Sequence, residues 1–142
     1  MAQLMTRVEN WPCVYRDYLK SVADRPFDWA EWNCCTFVTS CIQVLTGQDL
    51  YEPFGMYPKN KREALRDVKK FAGRGVLEMV RKYGLIEVPV ACAGRGDIVY
   101  YNSELGEALG MVDLSGCYGL FLHPTDGLER IPLIDCELGW KI

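Results

Sequence analysis

Apolar side chains recur at helical spacing through the first part of the chain and gather into short runs between turns in the last third. Behind Trp11-Pro12, where a proline in the first turn costs no hydrogen bond, Tyr15, Tyr18, Leu19 and Val22 predict a helix to about Ala23. A tryptophan-rich loop follows from Arg25 to Trp32. Asn33 is a good N-cap, and Cys34, Phe37, Val38, Cys41, Ile42 and Leu45 then form one apolar stripe, stopped by Gly47. Asp49 to Pro58 reads as a loop with two prolines. Asn60 followed by Glu63 resembles a capping box opening a third helix, with Ala64, Leu65, Val68 and Phe71 as its buried face. Lys61, Arg62, Arg66, Lys69 and Lys70 fall on the other face, read as solvated, with an acidic partner as the alternative. Gly73 ends this helix, and a short one runs from about Val76 to Tyr83 before Gly84.

From Gly94 onward the period changes. Asp97–Tyr101, Ala108–Leu114, Tyr118–Leu122, Glu129–Ile134 and Leu138–Ile142 are short apolar runs between glycine and proline turns, the signal of closely joined antiparallel strands. Helices grouped before strands predict an α+β fold, with the N-terminal helices packed on a C-terminal antiparallel sheet.

Composition narrows the reading. The 142 residues, 49% hydrophobic and 25% charged, suit one globular domain over 1–142. No run of about 18 apolar residues occurs, so no membrane-spanning segment is expected. Met1 to Glu9 shows no basic segment followed by an apolar stretch, so no signal peptide is expected either. A net charge of −3 disfavours a nucleic-acid partner, because phosphate-backbone binders usually carry a basic excess. The seven cysteines, Cys13, Cys34, Cys35, Cys41, Cys92, Cys117 and Cys136, are odd in number and mostly set among apolar neighbours. They read as reduced thiols in the cytoplasm where the protein is made. With one histidine and no Cys-x-x-Cys pair, zinc spacings are missing; four cysteines converging on an iron–sulfur cluster stay open, and no cofactor is expected.

The informative segment for chemistry is Trp29-Ala30-Glu31-Trp32-Asn33-Cys34-Cys35-Thr36-Phe37-Val38. A cysteine in the first turn of a helix lies near unpaired N–H groups and the positive end of the helix dipole, both of which favour the nucleophilic thiolate. Cys34 also lies within the apolar stripe, where it would serve as core. Asp97, opening a strand after Gly94-Arg95-Gly96, is expected to fix that turn through its side chain. His123 precedes Pro124 at a turn and reads as a surface or edge-strand histidine, with a catalytic role as the alternative.

Three segments follow the cysteine helix in order: Gly96-Asp97-Ile98-Val99-Tyr100-Tyr101, Ala108-Leu109-Gly110-Met111-Val112 and Phe121-Leu122-His123. From about Phe27 to the end, this order resembles the papain-like cell-wall cysteine peptidases of the NlpC type. In that family an Asp-Cys-Ser-Gly-Phe-Val-like helix start carries the nucleophile, a His-Val-Gly-Ile-like strand the base, and the next strand a polar residue that orients it. The resemblance looks closest to the short domains of bacteriophage tail modules, which share the segment Trp29 to Cys34, Thr46-Gly47-Gln48-Asp49 and Trp140-Lys141. It implies Cys34 as nucleophile, Ala108 at the position of the base, and His123 at the position of the orienting residue. Asn33 stands where the family has aspartate. Because Ala108 takes no proton, a base would have to come from His123 paired directly with Cys34.

Three functions follow from that resemblance. The first in preference is a structural protein of the phage tail tip or baseplate that keeps the fold and has lost the reaction. In that case its partners are other tail-tip or hub proteins, it resides in the virion after synthesis in the host cytoplasm, and the Trp29–Trp32 and Tyr51–Tyr57 loops offer apolar docking surface. The second is an active thiol endopeptidase or amidase on peptidoglycan, with Cys34 and His123 catalytic. The third is a cytoplasmic tail-assembly factor.

Overall fold

The computed structural model describes residues 6–51, 57–73, 75–103 and 106–142. Four helices precede the main sheet: α1 (Trp11–Val22), α2 (Cys34–Thr46), α3 (Lys61–Ala72) and α4 (Val76–Lys82). The strands are β1 (Glu87–Pro89), β2 (Ile98–Ser103), β3 (Gly106–Val112), β4 (Tyr118–His123), β5 (Gly127–Pro132) and β6 (Leu138–Trp140). They form one sheet in the order β1-β6-β2-β3-β4-β5, with every pairing antiparallel. This is the α+β architecture expected from the sequence.

Alternation along the strands builds two cores, one on each face of the sheet. Ile98, Tyr100, Leu109, Met111, Leu122 and Trp140 point to the helices and join Phe37, Val38, Cys41, Ile42 and Leu45 of α2. The apolar stripe of α2 is therefore the helical half of the main core, each large side chain adding roughly 1.5–3 kcal/mol by burial. Val99, Val112 and Phe121 point the other way, into a smaller core with Ala93 and Cys136 against the short 3₁₀ turns Val90–Cys92 and Leu133–Asp135. Gly110 belongs to this outer face; a Cβ there would strike the Leu120 carbonyl and the Phe121 ring.

Several details differ from the pattern. β1 went unpredicted, because three residues including a proline carry no alternation; it sits at a sheet edge, where a missing N–H is tolerated. β5 starts two residues earlier than expected and ends at Pro132, from which the chain enters the 3₁₀ turn. Leu65, placed on the buried face of α3, is 57% exposed, while Val68 is buried. Phe71, assigned to the same face, lies outside the side chains described, as do residues 1–5 of the N-terminal segment. Trp32 is 2% exposed rather than offered to a neighbour: it packs edge-on against Phe37 with Arg25 over its ring. Its Nε1 finds no hydrogen-bond partner among the described residues.

The ends of the described chain are held by one buried carboxylate. Asp97, 1% exposed, accepts from the Gly94 backbone N–H at 2.8 Å and so fixes its turn as expected. It also accepts from Arg7 Nη2 at 2.9 Å, Lys141 Nζ at 3.0 Å and the Ile142 N–H at 3.0 Å. Arg7 reaches further, donating to the backbone oxygens of Arg95 and Ile142 and lying over the Trp11 ring. Removing one partner of a buried pair strands the others in low dielectric. Asp97→Ala is expected to lower unfolding free energy by about 3–5 kcal/mol, whereas Lys141→Ala, at a half-exposed ammonium, costs about 1 kcal/mol or less. Urea denaturation of the two variants measures both.

Candidate functional site

The first turn of α2 is braced from both sides. Asn33 Oδ1 accepts from the N–H groups of Cys35 and Thr36, both at 3.0 Å, and Thr36 Oγ1 accepts from the Asn33 N–H at 2.8 Å. This reciprocal cap satisfies donors that a helix start otherwise leaves open. Asn33 Nδ2 meanwhile donates to the Trp29 carbonyl at 2.8 Å, a bond that an aspartate could not make. The loss of charge at this position is thus matched by a tie to the preceding loop.

Cys34 is the first residue of α2, partly exposed, with its side chain against the main core. Its thiol is held below the usual range for cysteine. The largest cause is a hydrogen bond from the neighbouring Cys35 thiol; burial opposes it, and the Leu109 backbone N–H adds to the lowering. Cys35, buried and donating to its neighbour, is pushed well up for the same reason. The Cys35 thiol also donates to Met79 Sδ at 3.9 Å. Cys41, deep under the sheet, is raised by burial alone.

Leu109, not Ala108, is the β3 residue beside Cys34. Ala108 lies on the opposite face with Tyr101 and Ile131. His123 follows Phe121 by two residues on β4, so alternation puts it on that outer face too. Cys34 and the chain's one imidazole are separated by the thickness of the sheet, and the direct pairing considered from the sequence is not formed. His123 Nδ1 instead accepts from the Thr125 N–H at 3.1 Å and lies 3.7 Å from Asp126 Oδ2 across the β4–β5 turn. The expectation of an edge strand is not met, because β4 lies between β3 and β5; nor could sequence spacing give the face of His123, which depends on register.

Two further features border the question of ligands. A donor atom from each of His123, Asp126 and Glu129 lies within 4.8 Å of the others, the one such group of possible metal ligands among the described residues. Its histidine Nδ1 is already taken by the turn, which accounts for the histidine without an ion. Behind Cys35 lies an apolar cavity of about 30 Å³, lined among others by Val38, Ile42, Met79 and Leu109. That is room for about one water, in a lining that would leave it dry.

The chain is an α+β domain with a thiol at the start of a helix packed on an antiparallel sheet. A solved structure of the NlpC/p60 domain of the peptidoglycan hydrolase SagA superposes with a TM-score of 0.59, covering 92% of this chain and 98% of that one at 11% identity. At that identity the likeness carries the fold alone. Residues 6–142 match the family model described as Domain of unknown function (DUF6950), and the chain belongs to that family. No curated protein sequence matches it.

The cysteine geometry makes a direct prediction. A lowered Cys34 reaches its thiolate at a lower pH than an ordinary thiol, so its alkylation by iodoacetamide should begin at lower pH than that of free N-acetylcysteine. Cys35→Ala removes the donated hydrogen bond and should move the Cys34 profile to higher pH. Peptide mass mapping across a pH series reads both.

Proposed function

We propose that this domain is a non-hydrolytic relative of the NlpC/p60 peptidases that serves as a structural subunit of a bacteriophage tail tip or baseplate. The observation that carries the loss of activity is the placement of the one histidine. Thiol hydrolysis needs a base within about 2.6–3.2 Å of the sulfur, or one water away, and His123 is turned to the far side of the sheet from Cys34. At the thiol itself β3 presents Leu109, and on the outer face Ala108 has no proton to exchange. The placement in a phage tail is supported by the ordered resemblance from Trp29 to Trp140-Lys141. Its partners are then the neighbouring tail-tip or hub proteins.

One observation favours a second reading, a surviving thiol endopeptidase or amidase acting on peptidoglycan. Cys34 keeps the thiolate-favouring surroundings a nucleophile needs: the α2 start, the Cys35 thiol and the Leu109 N–H. Without a base the step remains slow, since removing general acid–base assistance costs ~10²–10⁴ in rate.

The two readings separate on purified peptidoglycan. Wild type, Cys34→Ala and His123→Ala are expected to release no more peptide or amine than a protein-free control. Wild-type release abolished by Cys34→Ala would replace the structural reading with the hydrolase. Mass spectrometry of purified virions is expected to find the protein in the particle; finding it only in the infected cell would assign it to assembly instead.

A further inference from the structure

Charge is distributed very unevenly over this domain. Helix α3 carries five basic and two acidic side chains, net +3, in a chain of net −3, which leaves −6 on the remainder. Among the described residues, no ion pair engages Lys61, Arg62, Lys69 or Lys70; only Arg66 has one, a loose contact with Asp67. On this helix Leu65 stands 57% exposed, with Arg62 and Lys61 one turn before it and Lys69 one turn after. At the start of the helix a surface hollow of about 470 Å³ is lined by Asn60, Arg62, Glu63 and Arg66.

The opposite arrangement stands on the other side of the sheet. Ile134, in the 3₁₀ turn after β5, is 90% exposed and is followed by exposed Asp135 and Glu137. No ion pair engages either carboxylate among the described residues, and both act on Cys136 between them, which they and burial push up to about 11. This turn packs with Leu133 into the outer core, whereas α3 packs on α4 over the helix side. Each face therefore shows one apolar anchor beside an excess of one charge, and the two excesses are opposite.

Single exposed apolar residues are ordinary on protein surfaces. What distinguishes this pair is that each would complete the other: an isoleucine among carboxylates facing a leucine among guanidinium and ammonium groups, with the hollow at Arg62 and Arg66 able to receive a carboxylate. We propose that the domain associates with further copies of itself head to tail, α3 of one copy seated on the Leu133–Asp135 turn of the next. The contact is heterologous, so it generates a ring or an open stack rather than a two-fold dimer. It does not depend on the domain's place in a tail or on the state of Cys34.

Sedimentation velocity of the full chain tests this. At low salt, the weight-average mass should rise above 16.2 kDa with concentration. It should fall back toward the monomer at about 1 M salt, where the screening length drops to about 3 Å. Arg62→Glu with Lys69→Glu, and separately Asp135→Lys with Glu137→Lys, should each weaken association by roughly tenfold or more. Mixing the two variants should restore salt-sensitive association with the variants alternating in equal numbers, because the reversed α3 of one meets the reversed turn of the other and the unaltered α3 and turn meet at the next contact. All four residues are exposed, and circular dichroism reports whether each variant is folded. A monomer at every concentration and salt, association insensitive to salt, or folded reversal variants that fail to pair with each other would each overturn the proposal.

Discussion

Three parts of the chain that lie far apart in sequence are joined at the carboxylate of Asp97. It stands where the helical half gives way to the sheet, and its two oxygens take bonds from the N-terminal segment, the turn before β2 and the segment after β6. Buried charge is costly, and what makes this one tolerable is that its partners include two cations and two backbone amides in good geometry. The amides fix the chain path; the cations neutralise. A sheet whose central strand β2 begins at such a node has its register set at one end, and β3 and β6 pair on either side of it at Ile98.

Register also decides which side chains of the sheet face Cys34. In a β-sheet the identity of a residue and the face it occupies are independent facts, and a displacement of one position exchanges one face for the other. Here Leu109 and Met111 turn to the helices, while Ala108, Gly110 and Val112 turn away. The thiol keeps its local advantages, which are set within α2 and at one β3 amide. Acid–base chemistry depends on the sheet, and the sheet directs the imidazole elsewhere.

Much of this was legible in the residues. The α2 stripe, its Asn33 cap and its Gly47 stop gave a helix that formed as read, because capping and periodicity are local. The strands after Gly94 were recognisable for the same reason. Three things were not. β1 is defined by its neighbour β6 and carries no pattern of its own. Leu65 has the spacing of a buried residue, but whether a helix face is covered depends on what packs there. His123 and Ala108 were placed by their order in the chain, and order does not encode parity.

Gly110 and the outer core limit what a substitution at position 108 can do. A histidine there would place its ring beside Tyr101 on the outer face, across the sheet from the sulfur. Inserting or deleting a residue to turn position 108 inward would carry a side-chain-bearing residue into the place of Gly110, under the Phe121 ring. A histidine substituted at position 108 alone would therefore leave the thiol without an imidazole beside it, and bringing one there would require the register of β3 to change as well.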